Sequence, residues 1–310
     1  MKKIYYITAV FATLFLVGCG DGIDLPGVNV ETDLNKIPLP DNNVNLEQVE
    51  LKPSTEPMLH EGLHTEEDFQ RIRDKKAAGE EPWVSAYQLL VESQFSQKTA
   101  DTYPTEWIKR GVSGDENYMN AARGATIAYQ QALRWKIEQD DEYAAKAVEN
   151  LNKWVQTCVG VTGNTNLSLA AGLYGYEFAI AGELLRDYGG WDRADFAAFQ
   201  NWLLKVFYPA NDDFLKRHHD TNALHYWANW CLCNIAAKMA IGIVTDRRDI
   251  YNEGIAHLQT GDTNGRLRRA IYHDYAPDYN FAQWQESGRD QGHLSLIHIS
   301  ETTRLGMISY

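Results

Sequence analysis

Between Thr221 and His293 the chain reads TNALHYWANW, then RLRRAIYHDYA, then WQESGRDQGH. An amide or imidazole can donate to a carboxylate, an imidazole or phenolate can take a proton from carbon, and a phenol can protonate a departing oxygen. Those three parts are what eliminative cleavage of a uronic-acid polymer needs. Asn222, His225 and Asn229 are spaced three and four apart, which predicts one shared face on a helix beginning near Thr221. Arg268, Arg269 and Tyr275 fall in one short stretch. A guanidinium beside a phenol stabilises the phenolate and lowers its pKa, as a tyrosine base requires. The plain alternatives are a His and two Asn that satisfy loop carbonyls, and a charged loop beside a packed Tyr.

The run from Trp284 to His293 is rich in hydrogen-bonding side chains, contains glycine and has no apolar period, which predicts a loop lining a site. Trp227 and Trp284 offer flat faces to sugar rings, and Gln285, Glu286, Arg289 and His293 offer polar contacts. Glu286 and Asp290 are a possible carboxylate pair for hydrolysis instead of elimination. His218, His219 and Asp220 suggest a metal site, yet adjacent histidines diverge and no further ligand set has a recognisable spacing. No metal or organic cofactor is expected. Cys231 and Cys233, two apart on a helix, also point in different directions, so buried structural cysteine is the expectation for them.

These groups need a scaffold, and its period is helical. Thr65 followed by Glu66, Glu67 and Asp68 reads as a capped helix start. From Thr105 to Tyr208 there is no proline. Apolar residues recur at three and four positions over 118–138, 141–158, 167–188 and 192–207, with short Gly, Asn or Asp turns between them. Segments 224–244 and 249–258 repeat the arrangement. Strand signals are few before residue 260. Helices of this length joined by short turns make antiparallel hairpins. The predicted fold is all-α, an (α/α) toroid or incomplete barrel of such hairpins, with an open solenoid as the alternative.

Residues 1–19 carry Lys2 and Lys3, an apolar run and Leu16-Val17-Gly18-Cys19, the pattern of a lipoprotein signal with Cys19 as the lipidated residue. The apolar run is short for a bilayer-spanning helix. Residues 20–57 have no sustained period and read as a flexible tether. The expected location is therefore periplasmic or cell-surface, held to the outer membrane through Cys19. Residues 58–296 form the expected single folded domain. Residues 297–310 look like a translated sequencing adapter, so the natural protein is expected to continue past residue 296.

Net charge is −13, which argues against nucleic acid. An anionic polysaccharide remains admissible, because Arg266, Arg268 and Arg269 form a compact basic cluster and local potential governs binding. The chain has 9 Trp and 17 Tyr in 310 residues, a number of flat faces that suits carbohydrate. Nothing in the sequence speaks to oligomeric state.

Over roughly residues 60–295 the chain resembles the alginate lyase superfamily of (α/α) toroid polysaccharide lyases, with families 5 and 38 the nearest types. NALHYWANW looks like the family's Asn and His helix, RRAIYHDYA its Arg and Tyr segment, and WQESGRDQGH a run common among its Bacteroidota members. The resemblance implies a catalytic histidine at His225, a tyrosine at Tyr275 and the arginine beside it at Arg268 or Arg269. Its carboxylate-neutralising asparagine is Asn222 or, from an earlier helix, Asn166. Other readings are a glycoside hydrolase on the same scaffold and a non-catalytic glycan-binding lipoprotein.

Overall fold

The computed structural model describes residues 58, 60, 62–274 and 282–286. The expectations placed on Cys19, Tyr275, Arg289, His293 and the 297–310 tail lie outside these residues. Ten helices are described: α1 (Glu66–Ala77), α2 (Trp83–Glu92), α3 (Tyr118–Glu138), α4 (Asp141–Thr157), α5 (Leu167–Leu184), α6 (Arg193–Val206), α7 (Tyr208–Arg217), α8 (Ala228–Val244), α9 (Arg248–Thr260) and α10 (Leu267–Ala270). Two short sheets join them. β1 (Trp107–Arg110) pairs in parallel with β2 (Gly160–Gly163), and β3 (Ile271–Asp274) pairs antiparallel with β4 (Ala282–Trp284). The fold is all-α.

Local chemistry sets several helix starts. Thr65 and Asp68 form a reciprocal capping box on α1, while Asp140 and Asp192 accept backbone N–H groups at the starts of α4 and α6. These side chains satisfy donors that the first turn leaves without intrahelical partners.

α3, α5 and α8 are the most buried helices, and every residue of α8 except Trp230 is buried. They run in the same direction. Gly172, sixth in α5, lies on Cys233, sixth in α8. At the other flank Tyr118, which opens α3, stacks with Tyr174 of α5 at 6.5 Å, and Tyr129 further along α3 feels the charge of Glu177 further along α5. Each inner helix carries an outer one antiparallel to it. Gln131 and Gly124 of α3 meet Asn150 and Trp154 of α4; Gly175 and Gly182 of α5 meet Phe207, beside α6, and Phe199; Gly242 and Met239 of α8 meet Tyr251 and Gly254 of α9. Three successive inner–outer hairpins, in the layer order α3–α5–α8, make a partial (α/α) toroid.

Between the layers lies an aromatic core. Trp154, Phe178, Phe199 and Phe207 are fully buried, with Trp202 set edge-on to Phe178 and Phe207. Each such side chain removes roughly 150–250 Å² from water, so this seam supplies much of the inter-layer stability. Lys238 on α8 is wholly buried, and its Nζ donates to Asp212 at 2.8 Å and Glu253 at 2.7 Å. That pairing compensates a charge that burial alone would make very costly.

The inner helices end together at the opposite pole. There the lead segment crosses α5 and α8: His60 Nδ1 meets Glu183 at 3.1 Å, its Nε2 meets Asp246 at 3.1 Å, and His64 Nε2 lies 2.6 Å from the Tyr129 hydroxyl. A cavity of about 310 Å³ beneath it is lined by His60, His64, Lys136, Glu183, Arg186 and Asp187, among others.

Three features depart from the sequence expectation. The helix predicted from near Thr221 begins only at Ala228, because Asn222 Oδ1 accepts from Leu224 N and His225 N donates to Asn222 O, closing a turn in place of a helix. α7 follows α6 directly, with Pro209 in its first turn, where proline's missing N–H costs nothing. The parallel pair β1–β2 is four residues long on each side, too short to show a period.

Gly124 of α3 gives the Trp154 indole room to donate to Thr102 Oγ1 at 2.6 Å; a Cβ there would sit 2.7 Å from that hydroxyl. Helix propensity alone would favour Ala by about 1 kcal/mol. We expect Gly124→Ala to destabilise by about 1–3 kcal/mol in chemical denaturation, because overpacking outweighs propensity.

Burial pushes the Glu177 carboxyl up to about 8, with the Thr126 hydroxyl pulling weakly the other way. The folded chain therefore keeps a proton that the unfolded chain has released, and stability falls as pH rises toward 8. His64 and His257, lowered to about 4 by burial, lose stability only on acidification, so they do not interfere above pH 6.5. The melting temperature should fall between about pH 6.5 and 8 in the wild type and stay flat in Glu177→Gln.

Candidate active site

The parallel pairing of β1 with β2 sets Arg110 opposite Gly163, three residues before Asn166 at the start of α5. Asn164 Oδ1 accepts from Asn166 N at 2.9 Å and shapes that turn. Asn166 itself does not cap α5 with its side chain, and its amide has no hydrogen-bond partner among the described residues. It is partly buried and available to a ligand.

In the first turn of α5, Ser168 Oγ lies 3.0 Å from His219 Nε2 and joins α5 to the loop before α8. That loop is forced into an uncommon shape: His218, His219 and Asp220 have φ of 49°, 53° and 61°. Left-handed backbone costs a non-glycine residue roughly 1–2 kcal/mol, so surrounding contacts must hold it. Arg217 clasps Asp213 and Asp220. His218 is buried against Phe214 with ring centroids 4.8 Å apart, its Nε2 is 3.5 Å from Cys231 Sγ, and burial lowers its pKa.

Tyr226 then links the two outer histidines. Its ring lies 5.8 Å from His219 and 4.9 Å from His225, edge-on to both. His225 is exposed at the tip, and Trp227 is 40% exposed just before α8. Asn222 is exposed and holds its own turn, while Asn229 is buried and its Oδ1 accepts from Trp230 N. The expected shared helical face of Asn222, His225 and Asn229 is thus replaced by a turn that leaves His225 projecting.

The segment before β3 closes on the same loop. Asn264 Nδ2 donates to the carbonyls of Leu224 at 3.0 Å and Tyr226 at 2.8 Å. Arg268 and Arg269 follow on α10, both partly buried, and Arg269 donates to the Asp262 and Thr263 carbonyls. Gln285 is spent on structure: its Oε1 accepts from Ala228 N, and its Nε2 donates to Arg269 O and Asn264 Oδ1. Trp284 is 9% exposed in the core formed with Phe214, Leu232 and Leu267, so burial withdraws the face expected to meet sugar. Glu286 is partly buried with a left-handed φ of 65°. β3 ends at Asp274, immediately before Tyr275.

Asn166, His225 with its loop, and the Arg268–Arg269 segment are therefore gathered at the end of the layer where α5 and α8 begin. α3 starts there too, and the aligned N-terminal N–H groups give this end a positive potential that favours an anionic ligand. Sequence reasoning missed the Ser168–His219 bond, the bridging ring of Tyr226 and the nearby Arg110. From sequence, His219 suggests only a metal ligand. Among the described residues no group of three or more His, Cys, Asp and Glu could hold a metal ion.

Residues 72–270, more than half of the chain, match the model of the family described as alginate lyase. The chain belongs to the alginate lyase family. It is accordingly a polysaccharide lyase, and its substrate is a polysaccharide. No curated protein matches the chain.

Ser168 can fix His219 for this lyase only through their single bond. Ser168→Ala should cost about 1 kcal/mol or less in stability, yet lower kcat/KM on polysaccharide roughly tenfold, the equivalent of about 1.4 kcal/mol. An unchanged kcat/KM in a steady-state assay would reduce the pair to packing.

Proposed function

We propose that this lyase cleaves a uronic-acid polymer, alginate foremost, by β-elimination between C4 and C5. What supports this reading is an unspent amide, Asn166, two residues before Ser168, whose bond to His219 ties the loop carrying His225 to the same inner-helix end, where an anion is favoured.

The C5 proton of a uronate is too weakly acidic to leave while the adjoining carboxylate keeps its full charge. Hydrogen bonds from Asn166 or Asn222, helped by His225, polarise that carboxylate and make an enolate-like intermediate reachable. Tyr275 as phenolate, or His225, takes the C5 proton. The electron pair then forms the C4–C5 double bond, the C4–O4 bond breaks, and the Tyr275 hydroxyl gives a proton to O4. Arg268 or Arg269 assists the phenol's ionisation. The atoms balance without metal or cofactor. Trp227 offers a flat face at the rim for a sugar ring.

The signal-like pattern of residues 1–19 supports a location in the periplasm or at the cell surface, with the chain anchored by a lipid on Cys19. His60 and His64 meet the domain at the pole opposite His225, so such a tether would attach away from the cleft.

Incubation with a panel of uronate polymers should generate ultraviolet absorbance from the unsaturated product, and cleavage that yields no double bond would overturn elimination. His225→Ala and Tyr275→Phe should each lower kcat by about 10²-fold or more, the usual worth of a positioned acid or base, with oligouronate binding largely kept. Wild-type turnover in either variant would remove that residue from the mechanism.

A further inference from the structure

Arg110 closes β1 and is 7% exposed. Among the described residues no hydrogen bond or ion pair reaches its guanidinium, and its Nη1 is fully enclosed without a partner. A buried charge in that condition is expensive, and native proteins pair it or hand it to a ligand. Among the described residues its guanidinium meets the face of Tyr118, with the ring centroid 4.6 Å from the guanidinium carbon.

The surroundings are those of the active end. Tyr118 opens α3 and stacks with Tyr174 of α5, and Arg110 is near enough to Cys233 of α8 for its charge to act on that thiol. The guanidinium thus stands by the first turn of α3 and within reach of the N-terminal halves of α5 and α8. Through the β1–β2 register it lies one short loop from Asn166. The helix N-terminus, the Asn166 amide and the guanidinium itself favour an anion, and a planar five-donor fork matches a carboxylate in particular.

We propose that Arg110 is the carboxylate-binding group of a second subsite, taking the carboxylate of a uronate next to the one being cleaved. The inference rests on the uronate-lyase reading and deepens it. Arg110 touches no reacting atom in this scheme; it grips a neighbouring sugar and sets the chain's register over Asn166 and His225. It also makes a charged neighbour a condition of tight binding.

The test uses the full-length protein with a tetramannuronate and its carboxyl-reduced, neutral counterpart as probes. Arg110→Gln should raise KM on polymannuronate tenfold or more, with a smaller fall in kcat. It should weaken tetramannuronate binding in calorimetry by a similar factor and leave affinity for the neutral tetramer as in the wild type. Arg110→Lys, which keeps the charge and loses the fork, should fall between. Tetramannuronate affinity unchanged in Arg110→Gln, or affinity for both probes lost equally, overturns the proposal. Should Arg110→Gln fail to fold, Arg110→Lys decides alone: a wild-type KM with a wild-type melting temperature overturns it. Arg110-dependent binding without any unsaturated product would sink the lyase reading and leave the carboxylate site standing; cleavage indifferent to Arg110 does the reverse.

Discussion

Gly172 lets α5 lie against α8 so closely that a Cβ there would come 2.6 Å from Cys233 Sγ and 3.1 Å from the Asn234 backbone nitrogen. This contact sets the two helices in register from their first turns. Asn211 reinforces it, reaching from α7 to Asn234. With the starts of α5 and α8 level, Ser168 can meet His219, and that bond ties the loop before α8 to the first turn of α5, beside Asn166. The chemistry at this pole is therefore a product of helix packing, with the loop shaped by what lies beneath it.

That dependence explains the left-handed backbone at 218–220. α7 must end and the chain must turn back before α8 begins, within ten residues. The buried His218, the Arg217 clasp and the Asn264 amide on the Leu224 and Tyr226 carbonyls together hold a path that the local sequence would not choose unaided. Strain of this kind clusters where a side chain has to be aimed.

Much of the helical scaffold was legible from apolar period alone. α3 spans the predicted 118–138, and α4 and α6 differ by one residue at their ends. Misreadings arose where spacing and tertiary contact compete. Asn222 and His225 stand at helical intervals, yet an Asn that accepts from a backbone N–H two residues on favours a turn. Trp284 looks like a sugar platform in sequence because its neighbours are polar, whereas packing with Phe214, Leu232 and Leu267 near the start of α8 buries it. The site was legible as residue types and not as partnerships. Nothing in single-sequence spacing announces that Ser168 finds His219 or that Arg110 reaches the start of α3, since those meetings depend on strand register and inner-helix alignment.

The polarity of the domain has a practical consequence. Chain entry is stapled by His60 and His64 to one pole, across the ends of α5 and α8, while the histidine-bearing arch occupies the other. The rise of an 18-residue helix such as α5 separates the two by about 27 Å. A bulky partner, a bead or a surface coupled upstream of residue 58 would leave the mouth of the enzyme unobstructed, so N-terminal fusion is the orientation this architecture accepts for immobilised use.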